Sequence, residues 1–263
     1  RTVDLLLELS EVSAEHLGDL DGAQEALSEI LELEPDNPRA LAVSAYLHEQ
    51  NGEWEPAVEM LQRSLEHASG DERPGMWRRL GLIYLNQLDQ PDRAIEALER
   101  AVGDNSDPEA LAALIDIARE RGEDQRLLGL LKISLSGLEE NQQAATCKEI
   151  GQLCVALGQA DEALSSFEKA HAANPLDLDV VNYLVDAYVT AVNYGRADTL
   201  IDESIEALES AKRFKDVHRL VFRRGQLLEE RGLEDEAIGA FRRCFDHDAT
   251  NVPNLLRLGS LYA

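Results

Sequence analysis

The sequence has few basic residues for its length. Its 263 residues include 25 Lys and Arg against 51 Asp and Glu, which gives a formal net charge of −26. A surface of this charge repels phosphate groups, and affinity for nucleic acids depends largely on basic residues that neutralise phosphates. The composition therefore excludes DNA or RNA binding over a whole face, and we expect no nucleic-acid partner.

Long apolar runs are also missing. No uncharged stretch approaches the roughly eighteen residues of a membrane-spanning helix, and the sequence does not open with a basic segment followed by an apolar one. We therefore expect no membrane insertion and a cytoplasmic location. The hydrophobic fraction of 44% is ordinary for a folded chain, so disorder throughout is excluded.

Cysteine is scarce, and its placement does not suggest disulfides. Three cysteines are an odd number and too few for a disulfide framework in a chain of this length. Cys147 and Cys154 are seven residues apart, which is about 10 Å along one helix face and too far for a disulfide. A reducing compartment fits this pattern best.

Motifs for catalysis and metal binding are missing as well. The six histidines are spread along the chain without H-E-x-x-H spacing, and no phosphate-binding G-x-x-x-x-G-K-[ST] loop or G-x-S-x-G nucleophile elbow occurs. The many carboxylates are distributed as helix surface charge. We therefore expect no enzymatic activity, no metal and no cofactor.

What the sequence does contain is a helical period from end to end. Apolar residues recur at steps of three and four, and glycine or proline interrupts the pattern every fifteen to twenty residues. Asn37-Pro38 and Asp107-Pro108 are typical of an N-cap followed by proline in the first helical turn. The pattern predicts an all-α chain of short antiparallel helices.

Alignment of these segments gives three columns of equivalent residues. A small side chain in one column allows two helices to approach, and a large one a turn later fills the adjacent space. The pattern therefore predicts a repeated helix-turn-helix unit. The first-helix column is Glu11, Ala45, Gly81, Ile115, Gly151, Val185, Gly225 and Gly259; the second-helix columns are Ala23, Ala57, Ala94, Leu127, Ala163, Ala197 and Ala237, then Leu27, Leu61, Leu98, Leu131, Phe167, Ile201 and Phe241.

The repeats resemble the tetratricopeptide repeat (TPR) family, whose unit of 34 residues has a W-x2-L-G-x2-Y and A-x3-F pattern. Residues 77–84 read WRRLGLIY, and Ala94 and Leu98 follow at the second-helix columns. Leu258, Gly259 and Tyr262 repeat the first half. The resemblance implies a right-handed superhelical solenoid of about fifteen helices over residues 1–263, in a fragment of a longer TPR protein of bacterial type. The predicted repeats are 4–37, 38–71, 74–107, 108–141, 144–177, 178–211 and 218–251, with a partial eighth at 252–263.

Two departures from the pattern predict local differences. Glu11, Ile115 and Val185 replace the small first-helix residue, so we expect wider or shifted packing within repeats one, four and six. Extra residues follow the second helix of repeats two, four and six. We therefore expect those second helices or their loops to project.

The resemblance also implies that first-helix positions beside the packing columns face a concave groove. Apolar or aromatic members would anchor a partner, and polar members would contact a peptide backbone or a carboxylate. The positions carried over in this way include Arg39, Tyr46, Arg78, Leu82, Lys148, Asn182, Asp186, Arg219 and Phe222. We expect them to form a partner-binding face.

One TPR subclass is disfavoured by the same positions. TPR domains that bind chaperone C-termini place Lys and Asn at set first-helix positions in consecutive repeats. The equivalent positions here are Glu8 and Val12, Ala42 and Tyr46, then Arg78 and Leu82. The set is not present, so chaperone co-factor activity is not expected.

Two functional hypotheses remain open from the sequence. The first is a non-catalytic scaffold that binds a peptide or a partner protein in the groove. The alternative is a docking or regulatory arm of a larger enzyme whose catalytic domain is outside these residues. The last helix is rich in leucine without a polar outer face, so we expect further residues, a partner or self-association with a second copy to cover it.

Overall fold

A computed structural model of the chain describes residues 2–13, 20–105, 107–247 and 251–262. The described residues form fifteen α-helices and one short 3-10 helix, with no strand among them. Contacts divide the chain into two compact units, Arg1–Gly137 and Leu138–Ala263. The prediction of an all-α chain is confirmed.

The first unit contains eight α-helices. They are α1 (Thr2–Val12), α2 (Leu20–Leu33), α3 (Pro38–Gln50), α4 (Trp54–His67), α5 (Arg73–Asn86), α6 (Pro91–Asn105), α7 (Pro108–Arg121) and α8 (Asp124–Ser134), followed by the 3-10 helix Leu135–Gly137. The turn predicted at Gly18 lies outside the described residues.

The second unit contains seven α-helices. They are α9 (Glu140–Ala156), α10 (Ala160–Ala173), α11 (Leu178–Thr190), α12 (Tyr194–Ser210), α13 (Phe214–Glu230), α14 (Glu234–His247) and α15 (Val252–Leu261). In both units, consecutive helices pack in pairs, α3 on α4 and α13 on α14 for example. Among the described residues, no helix combines the length and the apolar character that crossing a membrane requires.

The predicted helix starts are confirmed at the two Asx-Pro pairs. The side chain of Asn37 accepts a hydrogen bond from the backbone N–H of Ala40 at the start of α3. Asp107 accepts from the N–H groups of Glu109 and Ala110 at the start of α7. These bonds satisfy backbone donors that have no partner within the helix.

The columns of small and large residues form the core of each helix pair. Every alanine of the second-helix column is buried, and so are the large apolar residues four positions later. The fourth and sixth pairs are in less contact than their neighbours, as wider or shifted packing predicts. There Ile115 and Val185 replace glycine, and α7–α8 and α11–α12 approach closely over less of their length than α5–α6 and α9–α10 do. For the first pair, the side chain of Glu11 is outside the described residues.

Candidate functional site

Two first helices of the second unit, α11 and α13, border a cleft of about 510 Å³. Its size lies within the range of ligand-binding clefts in proteins. Four of the residues predicted from the sequence line it together: Asn182, Asp186, Arg219 and Phe222. We call this cleft, with the one that adjoins it at Leu178, Asp179 and Arg219, the second-unit groove.

Phe222 supplies the apolar part of the groove. Its ring is half-buried and its centroid lies 5.6 Å from that of Phe241 in the core. This packing fixes the ring while one face remains accessible. Asn182, by contrast, is exposed on α11, so its amide can donate to and accept from a ligand backbone.

Charged residues of both signs line the groove. Arg223 of α13 forms an ion pair with Asp186 of α11. The side chain of Arg219 is 75% exposed, and its nearest carboxylate is Asp216 at 3.6 Å. Arg219 therefore keeps most of its donors available, while Arg223 is held by Asp186. Arg223 was not predicted. In its repeat, Phe222 occupies the position equivalent to Arg78 and Lys148, and Arg223 is the next residue.

The adjoining part of the groove is a cleft of about 370 Å³ that includes Lys148, Asp177 and Asp179. The Nζ atom of Lys148 lies 2.9 Å from a carboxylate oxygen of each aspartate. Burial opposes the charge of the ammonium group, but its hydrogen bonds to the two aspartates raise the pKa of Lys148. Lys148 is therefore a cation with fixed partners.

Asp177 has a second role as the N-cap of α11, where it accepts from the N–H groups of Asp179 and Val180. Burial disfavours its charge, but the hydrogen bonds from Lys148 and Val180 hold the pKa of Asp177 below its usual value. The start of α11 is thus tied to α9 by a charged bridge.

The first unit contains the same bridge at the equivalent position. Arg78 of α5 contacts Asp107, the N-cap of α7, at 3.1 Å, and Glu109 at 3.3 Å. Arg78 and Lys148 are both separated by 29 residues from the N-cap aspartates that they contact. The predicted polar contact residues Arg78 and Lys148 therefore link successive repeats.

The other predicted residues of the first unit lie on two different helices. Arg39 is exposed at the start of α3, Tyr46 is half-buried against the core of α1 to α3, and Leu82 is half-buried on α5. None of them, nor Arg78, lines the cleft of about 690 Å³ that the described residues form between α4 and α6. The structure does not bring these four together as it does the residues of the second-unit groove.

A thiol, an imidazole and an amide meet elsewhere in the second unit. The Sγ atom of Cys244 lies 3.3 Å from Nε2 of His218, and Nδ2 of Asn251 lies 2.6 Å from the same nitrogen. Cys244 has no exposed surface, so no substrate can reach the thiol, and the three side chains tie α13, α14 and the N-cap of α15 together. Among the described residues, no group of three or more His, Cys, Asp or Glu could hold a metal ion.

The paired helices and their groove define a helical-repeat protein. Models of the tetratricopeptide repeat match residues 16–78, 78–126 and 145–175, which together make up more than half of the chain. The chain therefore belongs to the tetratricopeptide repeat family, as the repeat columns predicted. No curated protein matches the sequence.

Several solved structures are similar to this chain at low sequence identity. A chain in the structure of Naa15/Naa10 bound to HypK-THB is 15% identical with a TM-score of 0.63, and the match covers all of this chain and 39% of that one. A TPR protein from Parabacteroides merdae is 17% identical, with coverage of 100% and 99% and a TM-score of 0.47. The C-terminal part of a TPR protein from Cytophaga hutchinsonii is 14% identical, with coverage of 97% and 98% and a TM-score of 0.49.

Proposed function

We propose that this chain is a non-catalytic interaction scaffold that binds a peptide segment of a partner protein in the second-unit groove. TPR proteins generally mediate protein–protein interactions, and TPR domains are typically non-catalytic. The observation that carries the proposal is the convergence of Asn182, Asp186, Arg219 and Phe222 on one cleft between two first helices.

Each of these side chains suits a different part of a peptide. Phe222 offers a fixed apolar surface, Asn182 an amide for backbone groups, and Arg219 an exposed guanidinium for a carboxylate. Asp186 can pair with a basic side chain of the peptide if that side chain displaces Arg223. Lys148 acts indirectly, because it holds Asp177 and Asp179 at the rim of the groove.

We propose that first-helix residues of the first unit contribute further contacts. Tyr46 and Leu82 present half-buried apolar surface, and Arg39 presents an exposed side chain at the start of α3. Arg78 would act as Lys148 does, since it holds Asp107 and Glu109 in place.

Affinity capture with matched variants tests the groove. The double variant Asn182→Ala, Arg219→Ala removes two exposed side chains that are not part of the core. We expect it to retain at least about tenfold less of the partner than the unmodified chain, because a few contacts supply most binding energy. Quantitative mass spectrometry of captured proteins measures this, followed by calorimetry with the identified partner.

The control is Arg196→Ala, which removes an exposed arginine of α12 outside the groove. It should capture the same proteins as the unmodified chain. If the double variant also captures them at unchanged levels, with unchanged helicity by circular dichroism, the groove is not the binding site.

We propose in addition that the chain associates with a second copy of itself through α15. Val252 and Leu256 of this helix and its C-cap residue Tyr262 have 61%, 70% and 56% of their surface exposed. An apolar stripe of this kind on one helix can be covered by the same stripe of a second copy, because a two-fold interface pairs identical surfaces.

A further inference from the structure

The cleft of about 690 Å³ in the first unit differs in chemistry from the second-unit groove. Second helices α4 and α6 form its walls, and first helix α5 lies between them. Trp77, Leu80 and Tyr84 of α5 provide an aromatic and apolar floor. We call this cleft the α4–α6 cleft.

Three arginines surround this floor: Arg73, Arg93 and Arg100. All three are exposed. Their concentration is unusual in a chain with twice as many acidic as basic residues. It gives the cleft a local positive charge that the overall composition does not suggest.

These arginines are also distinguished by their lack of carboxylate partners. Most arginines in the described part of the chain form an ion pair with Asp or Glu, such as Arg121 with Asp92 and Arg126 with Glu99. No carboxylate of the described residues lies within ion-pair distance of Arg73, Arg93 or Arg100.

Two of the guanidinium groups contact the aromatic floor instead. The guanidinium carbon of Arg100 lies 4.5 Å from the centroid of the Trp77 ring, and that of Arg93 lies 5.8 Å from the Tyr84 ring. Arg93 also donates to the amide oxygen of Gln90 at 2.9 Å. Stacking on a ring holds the planar group in position and leaves its edge donors free for a carboxylate.

The cleft contains carboxylates of its own, Glu66 and Glu96, but neither is paired with the three arginines. The guanidinium groups outnumber them by three to two. The net local charge is therefore positive, and the unpaired donors are those of arginine.

We propose that the α4–α6 cleft is a second binding site, which takes an acidic peptide with an apolar side chain next to its carboxylates. The arginines bind the carboxylates, since the planar fork of a guanidinium matches a carboxylate with two parallel hydrogen bonds. The apolar side chain packs on the half-buried Trp77 and Val58 of the cleft. This site is separate from the second-unit groove and does not depend on the function proposed for it.

A peptide fits better than a small anion for two reasons. The cleft is large enough for several side chains, and its floor is apolar, which gives a phosphate or a free carboxylate nothing to contact. The net charge of −26 repels an acidic peptide as well as a free anion. Affinity then has to come from contacts made inside the cleft.

The test uses a fluorescein-labelled short peptide in which Glu residues flank a central Leu, and a control peptide in which Gln replaces each Glu. Fluorescence anisotropy with the full chain gives the Kd of each. We expect the Gln peptide to bind at least about tenfold more weakly, because charge-assisted hydrogen bonds are about twice as strong as neutral ones. Equal binding of the two peptides would contradict the proposal.

Matched arginine variants locate the site. We expect the Kd of the acidic peptide to rise at least about tenfold in a triple variant that combines Arg73→Ala, Arg93→Ala and Arg100→Ala. Arg242→Ala should leave the Kd unchanged. Arg242 is the appropriate control because it also stacks on a ring, that of Tyr262 at 5.4 Å, and lies outside the cleft. An unchanged Kd in the triple variant would overturn the assignment.

Trp77 provides an independent readout of position. The chain has two tryptophans, so in a Trp54→Phe background the emission reports on Trp77 alone. Peptide binding in the cleft should shift this emission, because it covers the ring and disturbs the Arg100 stack. Saturation of the anisotropy signal without a change in emission would place the peptide elsewhere. Full displacement by millimolar inorganic phosphate would show a site for small anions and would also contradict the proposal.

Discussion

Three first-helix glycines allow a close approach within the helix pairs α5–α6, α9–α10 and α13–α14. A Cβ added at Gly81 would lie 2.6 Å from Leu98, one at Gly151 would lie 2.8 Å from Phe167, and one at Gly225 would lie 2.5 Å from Phe241. These distances are shorter than real Cβ contacts. Glycine is therefore required at these positions by space, and each glycine is matched to the large residue of the second-helix column.

This gives a test with a matched control. Gly225→Ala should lower the free energy of unfolding by about 1 to 3 kcal/mol through overpacking against Phe241. Gly239→Ala in α14, where nothing lies within 4 Å of an added Cβ, should instead raise it by about 0.5 to 1 kcal/mol through helix propensity. Urea unfolding followed by circular dichroism measures both, and an equal response of the two variants would refute the steric explanation.

The sequence could predict these glycines but not the polar contacts. A glycine and a large apolar residue recur at fixed spacing in several repeats, so alignment reveals them. The contacts between His218 and Cys244, and between Asp186 and Arg223, join residues 26 and 37 positions apart and occur once each. Such pairs depend on the rotamers of individual side chains, and a repeat pattern contains no information about them.

Positive backbone angles recur in the tight turns that end individual helices. Four such turns contain glycine with φ between 66° and 74°, at Gly52, Gly122, Gly158 and Gly232. The turn between α11 and α12 has Val192 instead, with φ of 58° and 69% of its surface exposed. A β-branched residue is strained in this conformation and gains little from burial there.

We therefore expect Val192→Gly to stabilise the chain. Glycine adopts the left-handed conformation without the steric strain of valine, so the free energy of unfolding should rise by about 1 kcal/mol. The reverse change at an equivalent turn, Gly158→Val, should lower it by a similar or larger amount. Thermal melting of both variants provides the comparison, and a lower melting temperature for Val192→Gly would show that the valine side chain is stabilising.

Helix lengths show where the extra residues of alternate repeats are placed. The spacing predicted longer second helices or loops after repeats two, four and six. Only α12 among these second helices is longer, with 17 residues against 14 in α4 and 11 in α8. The first helices α9 and α13 also have 17 residues, so much of the extra chain lengthens the following first helix. Column spacing fixes the number of inserted residues but not which of two adjoining helices extends, because both have apolar faces to bury.

At the scale of the whole molecule, the basic residues are used mainly to join repeats. Arg121 contacts Asp92, Arg126 contacts Glu99 and Arg231 contacts Asp198, in each case about one repeat away. The fold class was predictable because period and punctuation extend over the whole chain. The boundary between the two units at Gly137 and Leu138 was not, since the repeat columns continue through it without interruption.

Self-association through α15 is also a property of the whole molecule. Leu256→Glu should reduce the dimer fraction at high concentration, because it places a charge in the apolar stripe. Leu5→Glu in α1 is the control, since Leu5 is similarly exposed at 67% but lies on another helix. Sedimentation velocity over a concentration series measures the effect. A chain that stays monomeric throughout would contradict the proposal.

The charged bridges to the helix starts limit how the chain could be shortened or lengthened. The two aspartate caps, Asp107 and Asp177, have a cation 29 residues earlier, whereas the asparagine caps Asn37 and Asn251 have Glu8 and Phe222 at that distance. Excision of the third repeat, residues 74–107, would remove Arg78 together with Asp107 and leave α7 without its N-cap. An engineer who wants a shorter array from this sequence should therefore keep each aspartate cap with both its cation and the helix that it caps.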